Sequence, residues 1–308
     1  MERVAAIDVG TNTVLLTVAE RRDGVLVPVV ERAEITRLGR GVDRTGRLDA
    51  AAIGATAEVL GRYAAEARSL GADRIACVAT SAARDASNGP EFFAAARQAA
   101  GIVPEVISGE EEARLVHRSA WSDFGSPGHR LAVLDIGGGS TELTWGSGPD
   151  PAGRRSFQMG AVRLTERISP GDPPTAADLA ALRAAARGAL AEIRDIQVSG
   201  HLAGARLVGV AGTVTTLAAV EQALPVYDAA RVHGSELDRD ALGALLGRLA
   251  TLPLDERMRL PGMEPKRADV IVAGSVLALE AMSLGGFARL TVSDRGVRWG
   301  LLHERFGP

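Results

Sequence analysis

Apolar positions along the chain fall into two rhythms: short unbroken runs, and longer Ala/Leu-rich stretches with helical spacing. Residues 3–9 (RVAAIDV) predict a buried strand. Residues 13–20 and 25–32 predict two more, with Asp23-Gly24 as the hairpin turn between them. Pro28 lacks an N–H and marks the third as an edge or short strand. After the Gly/Arg-rich stretch 37–46, Asp49 is placed to cap an Ala-rich helix reaching Leu70, with Gly71 as its stop. The spacing then predicts a strand over 74–80, a helix over 90–100, a strand over 103–107 and a helix capped by Ser108 that runs to Phe124.

Gly125-Ser126-Pro127-Gly128 breaks the pattern and places a boundary there. Strands follow at 130–136, 141–146 and 154–159, then a helix over 175–197 and a strand over 206–211. Helices are predicted over 213–223, 238–250, 253–259 and 265–284, a strand over 288–293 and a last helix over 295–306. This order restarts the first one. Asp8-Val9-Gly10-Thr11-Asn12-Thr13 has its counterpart in Asp135-Ile136-Gly137-Gly138-Gly139-Ser140. Strand-ending Cys77-Val78-Ala79-Thr80-Ser81 has its counterpart in Val208-Gly209-Val210-Ala211-Gly212-Thr213. Similar stretches of chain separate the two motifs in each half, which implies a duplicated unit. The expected domains are 1–125 and 126–296, with the C-terminal helix 297–308 packing back on the first.

Length and composition agree with two α/β domains. The chain has 308 residues, about two domains' worth. It is 46% hydrophobic but only 4% aromatic, so small aliphatic side chains must fill the cores. A formal net charge of -3 argues against a general nucleic-acid binder. Lone Cys77 lies in an apolar run and reads as a buried strand residue. With no partner for a disulfide, no leader-like start and no apolar run long enough to span a bilayer, a cytoplasmic protein is expected.

The chemistry concentrates at the strand ends. Three successive glycines after a strand give a turn whose N–H groups converge on an anion, and Ser140 and Thr141 add hydroxyls. Such a turn also serves as a simple tight hairpin; the acids flanking it and the sister turn at 8–13 favour phosphate. The candidate phosphate ligands are Gly10, Thr11, Asn12, Thr13, Gly137, Gly138, Gly139, Ser140 and Thr141, with Gly212 and Thr213 opening a later helix. Asp135 is suited to a hydrated Mg²⁺, and Asp8 and Glu142 are further metal candidates. Ser81, Arg37, Arg84, Lys266 and Arg267 lie beside glycines or strand ends where phosphate would need hydroxyls and cations. In Ser108-Gly109-Glu110-Glu111-Glu112, Glu111 falls at the capping-box position and Glu110 is left to solvent. Glu112 has no local structural task and is a candidate general base, held ionised near a helix N-terminus.

Together these motifs resemble the exopolyphosphatase / guanosine-pentaphosphate phosphohydrolase (Ppx/GppA) family over nearly the whole chain. The match runs through DVGTNT (8–13), TRLG (36–39), ATSAARDA (79–86), SGEEEARL (108–115), DIGGGSTE (135–142), MGAVRLTE (159–166), GVAGT (209–213) and LPGMEPKRADVIVAG (260–274). The resemblance implies duplicated ribonuclease-H-like domains of the actin/sugar-kinase/heat-shock-chaperone superfold, with the active site in the cleft between domains. It implies Mg²⁺-dependent (or Mn²⁺-dependent) removal of terminal phosphate, with Glu112 as catalytic base and Glu142 helping to hold the attacking water. The implied substrate is inorganic polyphosphate; the alternatives are guanosine pentaphosphate or a regulator that binds the tetraphosphate alarmone of the stringent response without turnover. A homodimer is compatible with the family. Trp299 stands where many relatives have Glu, and the extra C-terminal domains of longer relatives are missing from this sequence.

Overall fold

The computed structural model describes residues 2–307. By internal contacts the chain divides into one unit of Met1–Ser119 with Val297–Pro308 and another of Ala120–Gly296. The first contains β1 (Arg3–Val9), β2 (Thr13–Arg22), β3 (Val25–Ile35), β4 (Arg74–Ala79) and β5 (Glu105–Val106), in the order β3-β2-β1-β4-β5. The second contains β6 (Leu131–Ile136), β7 (Thr141–Gly146), β8 (Gly153–Phe157), β9 (Arg206–Val210), β10 (Glu236–Asp238) and β11 (Arg289–Val292), in the order β10-β11-β9-β6-β7-β8.

Apart from the added edge strand β10, the two orders are one order repeated. In each sheet three antiparallel strands are followed by two parallel ones: β1/β2 and β2/β3 antiparallel with β1/β4 and β4/β5 parallel, then β6/β7 and β7/β8 antiparallel with β6/β9 and β9/β11 parallel. The repeat is the duplication that the sequence restart implies, and each unit has the ribonuclease-H-like arrangement that the family resemblance implies. The parallel strands bury both faces, which explains why RVAAIDV and LAVLDI are almost continuously apolar.

Local signals act as expected at several points. Asp23 and Gly24 both take positive φ, the conformation of a type I′ hairpin turn. Pro28 sits on edge strand β3, beside a register shift opposite Val18 and Ala19. β3 is nevertheless long, not short. Asp49 caps the helix Ala50–Ser69 by accepting from the N–H groups of Ala51 and Ala52. Ile7, Leu16, Leu60 and Phe92 meet in the first core; Leu134, Leu143, Leu217 and Leu277 lie in the second. Cys77 is buried, which pushes its thiol pKa up. Among the described residues no helix is long and apolar enough to cross a membrane.

Other elements differ from the sequence expectation. Short helices Ser81–Asp85, Ala161–Ile168 and Ala229–Val232 and strand β10 were not expected. The helix foreseen over 175–197 is two, Ala176–Ala189 and Glu192–Val198, broken just after Gly188, a poor helix former. The stretch 265–284 opens with a 3₁₀ turn at Pro265–Arg267, and its α-helix is Ile271–Gly285.

The helix Val297–Phe306 belongs to the first unit and lies against β1, β2 and β4. Its Trp299 is 1% exposed, and the indole Nε1 donates to Glu31 Oε1 at 3.0 Å. Arg298 approaches the same carboxylate oxygen at 3.2 Å. The bulk and N–H of tryptophan thus clamp this helix to β3. Trp299→Ala is expected to destabilise the protein by about 3–5 kcal/mol, read from urea unfolding midpoints.

Candidate functional site

In the first unit, Asp8 lies near the end of β1, opposite Leu15 on β2 and beside Val78 on β4, and is 8% exposed. The following turn closes with Gly10 N–H donating to the Thr13 carbonyl at 2.9 Å. Its two middle carbonyls are held from one side. The N–H groups of Thr36 and Arg37 donate to the Asn12 carbonyl, and Gly39 N–H donates to the Thr11 carbonyl at 2.8 Å. Arg37 adopts a φ of 56° to make this contact. Among the described residues the N–H groups of Thr11 and Asn12 have no backbone partner, and the buried Nδ2 of Asn12 has no hydrogen-bond partner. A planar peptide carries the next residue's N–H opposite its C=O, so bracing the Thr11 carbonyl aims the Asn12 N–H the other way.

The second unit repeats this construction. Gly137 N–H donates to the Ser140 carbonyl at 3.1 Å. The helix Ala161–Ile168 supplies the bracing donors: Ala161 N–H to the Gly137 carbonyl at 2.9 Å, and Val162 and Arg163 N–H to the Gly138 carbonyl at 2.9 and 3.1 Å. Among the described residues the N–H groups of Gly138 and Gly139 have no backbone partner. The helix comes this close because its N-cap is Gly160, where a Cβ would fall 2.5 Å from the Gly138 carbonyl. The helix N-terminus is thereby satisfied by the turn itself, without a capping side chain.

Glu112 and Arg84 come together in the first unit. Ser108 Oγ accepts from Glu111 N–H at 3.1 Å and caps the helix Gly109–Phe124; the Glu111 side chain turns to Arg114, at 2.7 and 3.0 Å. Glu112, one residue on, is 8% exposed, and its Oε2 lies 3.5 Å from Arg84 Nη1. Arg84 Nη1 also donates to the Ile107 carbonyl at 3.0 Å, and Arg84 Nε lies 3.7 Å from Asp85 Oδ1. Its Nη2 is buried without a hydrogen-bond partner among the described residues. The helix bearing Glu112 is fixed by the C-terminal helix: Gly300 approaches the Leu115 carbonyl so closely that a Cβ would sit 2.0 Å from it, and Arg114 pairs with Glu304.

In the second unit Asp135 and Glu142 face each other across β6 and β7, and Glu142 faces Ser156 across β7 and β8. Cross-strand partners share a sheet face, so the three form one row. Glu142 is 1% exposed, and its Oε1 accepts from Ser156 Oγ at 2.7 Å. Burial pushes the Asp135 carboxyl up to about 7, because the charged form has lost its water. Gly212 and Thr213 lie in the first turn of the helix Ala211–Glu221, entered through Ala211 at φ 68°. The Arg267 guanidinium lies against Gly212; Lys266 is exposed beside it.

Two expected ligands have their hydroxyl protons committed. Ser81 Oγ donates to Asp85 Oδ2 at 3.2 Å, and Thr141 Oγ1 donates to the Met159 carbonyl at 2.7 Å. Three residues outside the candidate set shape the site: Gly39, Gly160 and Ser156. The first two lie inside the quoted TRLG and MGAVRLTE motifs; Ser156 carries no local signal.

Among the described residues no three His, Cys, Asp or Glu side chains form a metal-binding group. The Asp135/Glu142 pair fits Mg²⁺, which takes one or two carboxylates and completes its octahedron with water and substrate phosphate. An all-oxygen donor set also suits a hard cation. The buried acid has a stability consequence. The folded state holds the Asp135 proton up to about pH 7, whereas an unfolded aspartate releases it near 3.8. In EDTA, stability should therefore fall as pH rises between these values and level off above. Asp135→Asn should flatten that fall, measured as melting temperature across the pH series.

Two braced turns, a buried glutamate beside a half-buried arginine, and a carboxylate pair near a strand end are the features of a phosphate-handling enzyme. Residues 17–307 match the Ppx/GppA phosphatase family, and the chain belongs to it. The chain is 38% identical to Exopolyphosphatase 2 of Mycobacterium tuberculosis, over 98% of each protein. It is 31% identical to Exopolyphosphatase 1 of Mycobacterium leprae, over 97% of this chain and 88% of that protein. Among solved structures, the Ppx/GppA family member of Aquifex aeolicus aligns with a TM-score of 0.82 at 34% identity, covering 99% of this chain and 97% of that one. An exopolyphosphatase-like protein aligns at 0.89 with 30% identity, covering 98% of each. The chain is a hydrolase of phosphoanhydride bonds.

Proposed function

We propose that this protein is an exopolyphosphatase that hydrolyses the terminal phosphoanhydride bond of inorganic polyphosphate. The observation that carries the reading is the contact between buried Glu112 and half-buried Arg84, in the unit that carries the first phosphate turn. The names of the relatives support polyphosphate as the substrate.

In the first unit the aimed N–H of Asn12 and the cation of Arg84, and in the second the aimed N–H groups of Gly138 and Gly139, are each suited to stabilise negative charge on phosphoryl oxygens. Glu112 accepts a proton from water as its oxygen bonds to the terminal phosphorus. The bridging P–O bond breaks, releasing orthophosphate and a chain one unit shorter. Glu142 orients the attacking water. Asp135 and Glu142 would hold Mg²⁺, with Asp8 as a further candidate ligand; when bound, the ion supplies neutralisation of phosphate charge. Positioning and electrostatics dominate such transfers. Localisation in the cytoplasm is part of the same reading.

Glu112→Gln is expected to lower kcat by about 10²–10⁴-fold while polyphosphate still binds, measured by orthophosphate release and by equilibrium binding. Equal turnover by variant and wild type would remove Glu112 from the mechanism. EDTA should abolish phosphate release, and excess Mg²⁺ should restore it. Parallel assays on polyphosphates of several lengths and on guanosine pentaphosphate check the substrate. Faster release from the nucleotide than from any polyphosphate would overturn the assignment.

A further inference from the structure

We infer that Ser156 is a positioning residue for Glu142. The inference rests on the role proposed for Glu142 and deepens it. Ser156 Oγ donates to Glu142 Oε1 at 2.7 Å, the length of a hydroxyl-to-carboxylate bond of the charge-assisted kind. The two residues are direct cross-strand partners on β7 and β8, and Glu142 is the direct partner of Asp135 on β6.

The duplicated fold supplies an internal comparison. In the first unit the row that begins at Asp8 continues through Leu15 on β2 to Ala33 on β3. In the second it runs from Asp135 through Glu142 to Ser156. The first acid occurs in both rows. The second acid and the hydroxyl occur only together, and where leucine replaces the acid, alanine replaces the serine. A serine present only to suit a strand would not need to follow the acid. A strand position next to the half-buried Leu15 has no use for a hydroxyl, whereas a buried carboxylate oxygen needs a donor.

The geometry also says what the hydroxyl does. Glu142 is 1% exposed and sits in the middle strand of three. A glutamate has three side-chain torsions, and a bond to one oxygen fixes the plane of the carboxylate, and with it the direction of the second oxygen. Loss of the bond removes one restraint on that plane and leaves the acid in place, which affects the chemical step more than substrate binding.

The test compares Ser156→Ala, Ser156→Thr and Ser156→Val with Glu142→Gln, each assayed for orthophosphate release from polyphosphate. Threonine keeps the hydroxyl; valine has the same shape without it. Ser156→Ala and Ser156→Val should lower kcat tenfold or more with KM within about twofold, and Ser156→Thr should restore most of the loss. Added to Glu142→Gln, Ser156→Ala should cost nothing further, because its effect passes through that carboxylate. Wild-type kcat in Ser156→Val beside an impaired Glu142→Gln overturns the inference and leaves the role of Glu142 standing. So does a Ser156→Ala loss that simply multiplies with that of Glu142→Gln. Full activity in Glu142→Gln overturns the role of Glu142 and the inference with it. If alanine and valine prevent folding, a Ser156→Thr variant that folds but turns over tenfold slower also overturns it.

Discussion

The site depends on which way a few peptide groups face. In each unit a strand ends in an acid and the chain turns sharply. Donors arriving from a later segment take up the carbonyls of that turn. The braces differ, an extended segment at Thr36–Gly39 in one unit and a helix N-terminus at Ala161–Arg163 in the other, but both fix the carbonyls and so present N–H groups on the opposite side. Amides held this way need no reorganisation when a phosphate arrives, which is what makes fixed dipoles effective for charge stabilisation. The acids at the strand ends, the arginines and the hydroxyls act within a frame that these bonds set.

Much of this could be read from the sequence because its chemistry is contiguous. Asp8 to Thr13 and Asp135 to Glu142 carry strand, turn glycines, hydroxyls and acids in one short run, so a local reading finds them. The cap at Ser108 likewise separated Glu111 from Glu112, and the structure sends Glu111 to Arg114 and leaves Glu112 beside Arg84. The repeated strand order was legible because each half restarts with the same apolar run and turn.

What escaped was chemistry that exists only across strands or between segments. Ser156 meets Glu142 through register, and nothing near it in the chain marks it. The helix Ala161–Ile168 has no capping side chain, since the Gly137 and Gly138 carbonyls do that work, so no N-terminal signal is present. Ser81 and Thr141 lie in motif runs, and in the structure their hydroxyls donate to Asp85 and to the Met159 carbonyl. Composition shows that a donor exists; only packing shows where it is spent.

The helix that completes the first unit is separated from the rest of that unit by the whole of the second. On the ribosome, β1, β2 and β4 therefore emerge long before Trp299 and its neighbours arrive to cover them. Until then Leu115 lacks its Gly300 contact and Glu31 its indole donor, and the segment carrying Glu112 is without its support. The support of the segment carrying Glu112 thus arrives only after the second unit has been made.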